Sequence, residues 1–384
     1  MTTVEVIPPA APSSKERSVQ APVSGTTIPG DSGTVSTQGC FHPDYTEVIR
    51  FFEKKQVYAV QIESCLSCTG GCRYCYASAQ DTPSPELSAA CIRRVLHEVK
   101  AAGVRAIDWL GGDPLMRKDW YELARAAQDL GLINNIWTSG IPLADPIVAQ
   151  QVAEVTSGGF VSVHVDSLDV KIYRVLHTGE PKTKIQSVLR GIKNLLDAGK
   201  QPREMINCIT FTRPLAGKDV GRTIRYFSDK GIRTCLTQIC MAGLGKEHPE
   251  WVPSGPQIRH AIRIRDRVNY PGSDLSMSTM DVNKYYCGGA VCITVEGDVT
   301  PCSVIRRGFG NVNHMPFWEI ISRHRRELLF IPLRKNSKAD RCISCKNQPV
   351  CWGCRATAYY TTGNLMADDP NCSVRKRPHD KKAY

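Results

Sequence analysis

The sequence predicts a parallel α/β fold followed by a cysteine-rich C-terminal segment. Between residues 57 and 239, six apolar stretches typical of strands alternate with stretches of helical period. This alternation indicates parallel β/α units joined by right-handed crossovers. It fits a doubly wound sheet or a barrel with fewer than eight strands. Eight of the 17 cysteines lie after residue 286.

The predicted strands and helices follow one another closely along the chain. The strands are 57–64, 105–111, 133–139, 160–166, 205–211 and 233–239. The helices are 85–103, 119–131, 145–155, 183–199 and 219–231. Chemistry in such folds sits at the carboxyl ends of the strands. We therefore expect the loops after the six strands to form one site.

Composition predicts how the rest of the chain is organised. Residues 1–40 are rich in Pro, Ser, Thr and Gly, which predicts a disordered arm. Residues 41–270 are assigned to the α/β domain and 280–384 to a small second domain. No apolar run reaches about 18 residues, so we expect no membrane span.

Charge and targeting signals narrow the function classes. The first residues lack a secretory signal, so we expect a cytoplasmic protein in which cysteines serve metal or redox chemistry rather than disulfides. A formal net charge of +12 suits anionic partners. Dense Lys/Arg runs with interleaved aromatic residues are missing from the middle of the chain, so nucleic acid is not an expected partner.

A tight cysteine triplet follows the first predicted strand. Cys68, Cys72 and Cys75 have the spacing C-x3-C-x2-C, and Gly70 and Gly71 lie inside the loop. A disulfide, a zinc ion and an iron–sulfur cluster are the candidates. Structural zinc takes four protein ligands, commonly from separated C-x2-C pairs. A [4Fe–4S] cluster held by three thiolates keeps one iron open for another ligand.

Together with the next loop, this triplet resembles the motifs of the radical S-adenosylmethionine (SAM) enzymes. Tyr74 precedes the last cysteine, and GGDP (111–114) is similar to the GGxP motif of that family. The resemblance implies a partial (β/α)6 TIM-type barrel and a [4Fe–4S] cluster bound to three cysteines and SAM. It also implies cleavage of SAM to a 5′-deoxyadenosyl radical that abstracts hydrogen from the substrate, with an electron from ferredoxin or flavodoxin.

The same resemblance suggests which residues contact SAM. These are residues of the GGDP motif and of the loops after the third and fourth strands. They are Gly111, Gly112, Asp113, Pro114, Ser139, Asp166 and Ser167. We assign no residue a catalytic function beyond cofactor binding.

The C-terminal cysteines form a second motif. A zinc ribbon would need a wider gap between its C-x2-C pairs. The pattern C-x9-G-x4-C, followed by C-x2-C-x5-C and two further cysteines, resembles the SPASM extension of radical SAM enzymes. The resemblance implies a small irregular domain with two auxiliary [4Fe–4S] clusters. Their implied ligands are Cys287, Cys292, Cys302 and Cys354 for one cluster, and Cys342, Cys345, Cys351 and Cys372 for the other. Cys351 and Cys354 are separated by two residues, where the usual pattern has three.

The remaining cysteines carry weaker signals. Cys91, Cys208 and Cys235 fall within helix or strand patterns and are interpreted as core residues. Cys65 and Cys240 are expected near the mouth of the site, and Cys240 is a candidate hydrogen donor.

The substrate is suggested by the tail CWGCRATAYYTTGNLMADDPNC, which is similar to radical SAM enzymes of haem biosynthesis. The resemblance implies modification of carboxylated side chains of an iron tetrapyrrole. Arginines are candidate carboxylate ligands. They are Arg213, Arg306, Arg307 and Arg355.

Two alternatives stay open. One is a maturase that modifies a peptide or protein, although the segment 42–56 is short for a peptide-recognition domain. The other is an electron carrier that uses the C-terminal clusters, which the GGDP motif and the open-site triplet disfavour.

Overall fold

The computed structural model describes residues 28–30, 33–35, 45–272, 275–277, 281–334, 342 and 344–374. Most of the predicted disordered arm lies outside this part of the chain, as do Cys40 and the basic residues after 374. Two short strands within the arm, β1 (Ile28–Gly30) and β2 (Gly33–Val35), pair antiparallel.

Six parallel strands form the centre of the molecule, as the sequence predicts. They are β3 (Ala59–Cys65), β4 (Ala106–Gly111), β5 (Ile133–Trp137), β6 (Val161–Val163), β7 (Met205–Phe211) and β8 (Arg233–Gln238). Their order in space equals their order in the chain. A doubly wound sheet reverses direction at its switch point. The uniform order therefore indicates a partial barrel rather than a doubly wound sheet. In the described part of the chain, the two edge strands of this barrel are not paired with each other.

Two C-terminal strands extend this sheet. Strand β9 (Ala290–Ile293) pairs parallel with the outer edge of β3, and β10 (Val299–Thr300) pairs antiparallel with β9. The sheet thus continues across the predicted boundary between residues 41–270 and 280–384. A four-residue strand whose partner lies about 230 positions earlier leaves no local signal in the sequence.

Helices cover the outside of the sheet and connect its strands. The N-terminal and barrel helices are α1 (Tyr45–Glu53), α2 (Ala89–Ala101), α3 (Trp120–Asp129), α4 (Pro146–Val155), α5 (Val170–Leu176), α6 (Pro181–Asp197), α7 (Lys218–Ser228) and α8 (Gly255–Asn269). The C-terminal helices are α9 (Lys284–Cys287), α10 (Phe317–Leu328), α11 (Ile331–Arg334) and α12 (Arg355–Thr362). Among the described helices, none is both long and apolar enough to cross a bilayer.

Alternation along the strands separates an apolar outer layer from a polar interior. Ile62, Ile107 and Ile136 are buried within the main apolar core, which also contains residues of the surrounding helices. On the other face, Asp108 accepts hydrogen bonds from the Asn135 side chain (2.7 Å) and from the Tyr286 hydroxyl. Buried polar groups need such partners. The interior of this barrel is therefore built to hold polar groups in fixed positions.

An ion pair with a buried carboxylate joins the barrel to the C-terminal segment. Glu63 of β3 has no exposed surface, and both of its carboxylate oxygens accept bonds from Arg306 at 2.7 Å. The backbone amide of Val295 donates to the same carboxylate at 3.1 Å. Because a bidentate pair fixes both orientation and distance, this contact sets the position of the segment that follows β10.

We predict that Arg306→Met lowers the free energy of unfolding by about 3 kcal/mol, because it leaves the buried Glu63 carboxylate without its cation. Arg307→Met is the matched control. Arg307 is exposed and stacks over Phe309 at 5.1 Å, a contact worth about 0.5 kcal/mol. Anaerobic urea titration of both variants at equal iron content measures the difference. Equal midpoints for the two variants would contradict the prediction.

Candidate functional site

The cysteine triplet lies in the loop between β3 and α2, at the carboxyl end of the sheet. A Cβ atom on Gly70 would lie 3.2 Å from Cys68 Sγ and 3.7 Å from Cys72 Sγ, so glycine keeps the space between the two sulfurs clear. Lys184 of α6 fixes the loop by donating to the carbonyls of Thr69 (2.6 Å) and Gly70 (3.1 Å). The loop is thus held from outside by a helix while its thiols face inward.

The glycine pair after β4 packs directly against this loop. Gly112 N donates to the Cys65 carbonyl and Asp113 N donates to the Ser67 carbonyl, both at 2.7 Å. A Cβ on Gly111 would lie 2.2 Å from the Cys65 oxygen, and one on Gly112 would lie 2.3 Å from the Ser67 oxygen. Contact between the two backbones therefore requires both glycines, and this requirement does not depend on any bound ligand.

Asp113 connects the β4 loop to the β5 loop. Its carboxylate accepts bonds from Thr138 Oγ1 (2.8 Å), Ser139 N (2.9 Å) and Ser139 Oγ (2.6 Å). Burial raises the pKa of Asp113, and the bonds from Ser139 and Thr138 partly offset that effect. A cavity opens at this end of the barrel, and Ser139 lies on its wall. The Asp113 carboxylate is fully buried, so it holds Ser139 in place and does not itself enter the cavity.

Asp166 lies at the centre of a buried network beneath the triplet. It accepts from Thr210 N (2.9 Å) and the Tyr74 hydroxyl, and its Oδ2 lies 2.9 Å from His177 Nε2 and 3.3 Å from His164 Nε2. The two imidazoles also lie next to Cys72. Burial opposes ionisation of Cys72, but His177 and His164 outweigh it and lower the pKa of Cys72 to about 5. The thiolate is the form that binds iron.

The predicted SAM contacts lie in two different settings. Asp166 and Ser167 have no exposed surface, and the Ser167 hydroxyl accepts from Asp169 N at 2.9 Å. Pro114 begins a buried turn and faces a small apolar space elsewhere. Gly111, Gly112 and Ser139 do line the main cavity. The side chains of the other predicted contacts, Asp113, Pro114, Asp166 and Ser167, are buried and contact other residues of the protein.

A cavity of about 310 Å³ opens at this end of the barrel. Side chains from β3, β4, β5, β6, β7, β8 and β9 contribute to its wall. Six of the predicted cluster cysteines line it: Cys68, Cys72, Cys75, Cys287, Cys302 and Cys354. The two cysteine motifs, more than 200 residues apart in sequence, therefore face one space.

The sulfur spacing does not match a single zinc ion. In the described part of the chain, no three of these sulfurs lie within 4.8 Å of one another. Thiolates around one zinc ion, at about 2.3 Å each, would be closer together than that. The only such grouping found there is Cys72 with His164 and His177, and both histidines are already hydrogen-bonded to Asp166, Tyr74 or Gly70.

The short CWGC spacing at residues 351–354 has a local structural cause. Gly353 adopts φ +70°, and a Cβ there would lie 2.6 Å from Asp369 Cβ. Asp369 Oδ2 accepts from Cys354 N at 2.7 Å. The tight turn delivers Cys354 to the N-cap of α12 and to the cavity wall. One residue fewer than the usual pattern is thus accommodated by a left-handed glycine.

The other predicted auxiliary ligands lie in the turns around α12. Cys345 N donates to the Cys342 carbonyl (3.2 Å), Gly353 N donates to Cys351 Sγ (3.3 Å), and Cys372 N donates to the Asp369 carbonyl (3.2 Å). The assignment of Cys342, Cys345, Cys351 and Cys372 to one cluster stays a prediction.

Three site residues were missed by sequence reasoning. His177 follows α5, and no spacing motif marks it. Gln61 and Tyr286 line the cavity from β3 and α9 and are hydrogen-bonded to each other at 3.2 Å. For Gln61, a polar residue at the centre of an apolar strand was an available signal.

Comparison with known proteins agrees with this geometry. The family model described as the radical SAM superfamily matches residues 62–227. The model of the SPASM iron–sulfur cluster-binding domain matches residues 287–355. The chain therefore contains a domain of the radical SAM superfamily. Its barrel carries the SAM-binding [4Fe–4S] cluster of that superfamily, and its C-terminal part is a SPASM domain, which binds auxiliary iron–sulfur clusters.

Two curated relatives cover most of this radical SAM protein. The AdoMet-dependent heme synthase of Nitratidesulfovibrio vulgaris is 28% identical over 81% of this chain and 90% of its own length. The Fe-coproporphyrin III synthase of Methanosarcina barkeri is 27% identical over 80% of this chain and 86% of its own length.

Solved radical SAM structures share the fold. SuiB of Streptococcus suis bound to SAM aligns with TM-score 0.60 at 15% identity, over 85% of this chain and 80% of its own. The anSMEcpe structure with bound AdoMet and a Cp18Cys peptide aligns with TM-score 0.61 at 15% identity, over 81% and 92% of the two chains. At this level of identity the likeness concerns the fold alone.

We predict that Gly112→Ala weakens SAM binding at least tenfold, about 1.4 kcal/mol, because the new methyl group would collide with the Leu66–Ser67 backbone. Gly221→Ala is the control, since its Cβ would meet only the ends of the Ile264 and Arg225 side chains at 3.2 Å or more. Equilibrium dialysis of SAM against anaerobically reconstituted protein measures both. A Gly112→Ala variant that binds SAM as tightly as the parent would contradict the close-approach argument.

Proposed function

We propose that this radical SAM enzyme modifies carboxylated side chains of an iron tetrapyrrole in a haem-type biosynthetic pathway. The observation that carries the proposal is the similarity to the heme synthase and the Fe-coproporphyrin III synthase, which extends over about four fifths of this chain in each case. A match of that length must extend past the last barrel strand into the C-terminal segment, so the similarity is not limited to the SAM-binding motifs.

The lining of the cavity supports a mainly apolar substrate. Its volume falls within the usual range for small-molecule sites, about 300–1,000 Å³. Trp137, Val163, Val282 and Phe330 line it together with a few polar groups. A flat macrocycle with polar side chains has that same mixture of surfaces. The net charge of +12 favours approach of a polycarboxylate.

The arginines predicted to bind carboxylates are mostly used elsewhere. Arg306 pairs with Glu63, and Arg355 donates to the carbonyls of Trp352, Leu365 and Ala367. Arg213 donates to the Val252 carbonyl. On the cavity wall, the hydroxyls of Thr210 and Thr237 lie 3.3 Å apart. We infer that uncharged donors of this kind orient the substrate there.

Different residues around the cavity are proposed to bind the cluster and SAM. Cys68, Cys72 and Cys75 would hold the SAM-binding cluster, and Gly111, Gly112 and Ser139 would contact SAM at the wall of the same cavity. Asp113 positions Ser139 through three hydrogen bonds. When bound, the cluster and SAM supply a 5′-deoxyadenosyl radical that removes a hydrogen atom from the substrate. Cys287, Cys302 and Cys354 would hold an auxiliary cluster at the same cavity, and such a cluster would supply or accept electrons. A low-potential ferredoxin or flavodoxin is the proposed donor.

We predict that iron coproporphyrin III or didecarboxysirohaem stimulates formation of 5′-deoxyadenosine by the reconstituted enzyme at least tenfold. Mass spectrometry of the same anaerobic samples should show that the tetrapyrrole has lost a carboxylate-containing side-chain fragment. Cys72→Ala should abolish both signals, because one ligand of the SAM-binding cluster is gone. Cys91→Ala is the matched control, since Cys91 is buried in α2 within the apolar core.

Other outcomes separate the alternatives. The enzyme could cleave SAM while neither tetrapyrrole increases the rate or is itself changed. That result would overturn the tetrapyrrole proposal and favour a peptide substrate. Absence of SAM cleavage by a protein with full iron content would contradict the enzyme assignment for this chain.

A further inference from the structure

Four thiols, rather than three, meet at the SPASM side of the cavity. Cys240 follows the last barrel strand by two residues and lines the cavity together with Cys287, Cys302 and Cys354. It also belongs to one apolar cluster with Cys302 and Cys354, which contains Ile305, Phe330 and Trp352 as well. The SPASM pattern does not include this cysteine, because it precedes the matched segment by more than 40 residues.

The Cys240 side chain points at the N-terminus of α12. Its sulfur lies 4.0 Å from Thr357 Oγ1. The Cys354 sulfur accepts from Thr357 N at 3.4 Å. The two thiols therefore converge on the same turn, although one belongs to the barrel and the other to the C-terminal segment.

Cys292, the ligand inferred from the sequence pattern, lies in a different environment. It is the third residue of β9, where it is paired with Gln61 of β3 and with Thr300 of β10. It has no exposed surface and lies near the Glu63–Arg306 ion pair. Among the described residues that line the cavity, Cys287, Cys302 and Cys354 are present and Cys292 is not. A cluster ligand must present its sulfur to the space that the cluster occupies.

We propose that Cys240, rather than Cys292, is the fourth thiolate of the auxiliary cluster held by Cys287, Cys302 and Cys354. With this set, all four irons are bound by protein thiolates, so the cluster transfers electrons and does not bind substrate through iron. The proposal concerns cofactor ligation alone and does not depend on the tetrapyrrole assignment.

The test counts iron in a protein that lacks the SAM-binding cluster. In a background of Cys68→Ala, Cys72→Ala and Cys75→Ala, two auxiliary clusters give about eight irons per chain. Cys240→Ala in this background should lose about four irons, or retain a cluster in which one iron has an altered Mössbauer signal. Cys292→Ala should keep the iron content and the spectrum of the background protein. Cys235→Ala, a buried cysteine of β8, is the control for damage to the strand itself.

Cys240→Ser addresses folding separately, because a serine oxygen can replace the thiolate without changing the shape of the side chain. It should retain the circular dichroism of the parent while shifting the electron paramagnetic resonance signal of one reduced cluster. Loss of iron in Cys292→Ala but not in Cys240→Ala would overturn the proposal. An unchanged spectrum in Cys240→Ala, or equal loss in both alanine variants, would overturn it as well.

Discussion

The backbone contact between the loops after β3 and β4 is the constraint on which the rest of the site depends. The amides of Gly112 and Asp113 bond to carbonyls of the cysteine loop, at a separation where a single Cβ would lie 2.2 to 2.3 Å from an oxygen. Hydrogen bonds next to that contact hold the neighbouring loops in place. Asp113 accepts a bond from Ser139, and Lys184 donates one to the Gly70 carbonyl. Three loops from three strands are thereby held as one surface. Such preorganisation is what a site that must control a reactive radical requires.

Much of this arrangement follows from the sequence because it depends on local patterns. The strand 205–211 was predicted with its observed bounds, and the other five barrel strands differ by one to four residues at their ends. Strand periodicity and glycine stops are short-range signals. The parallel order then brought the cysteine triplet and the GGDP motif to one edge without further assumptions.

The direction in which a side chain points was less accessible. Asp166 lies after a strand where a ligand contact is reasonable, yet its carboxylate is used by His177, Tyr74 and the Thr210 amide. Arg306 was a candidate for the substrate, but Glu63 binds it from a strand about 240 positions away. These outcomes depend on partners distant in sequence, which spacing alone does not reveal. The same limit applies to Cys240, which belongs to no cysteine motif but lines one cavity with the thiols of a later motif.

The position of β9 against β3 has a consequence for how the protein is made. Strand β3 is synthesised more than 200 residues before β9, so one of its two edges acquires its neighbour only when residue 293 has been made. Until then, a strand near the middle of the final sheet presents unpaired amides and carbonyls, which favour association with other chains. The auxiliary thiols Cys302 and Cys354 appear later still. The cavity wall therefore receives its last cysteine only when residue 354 has been synthesised, long after the triplet of Cys68, Cys72 and Cys75.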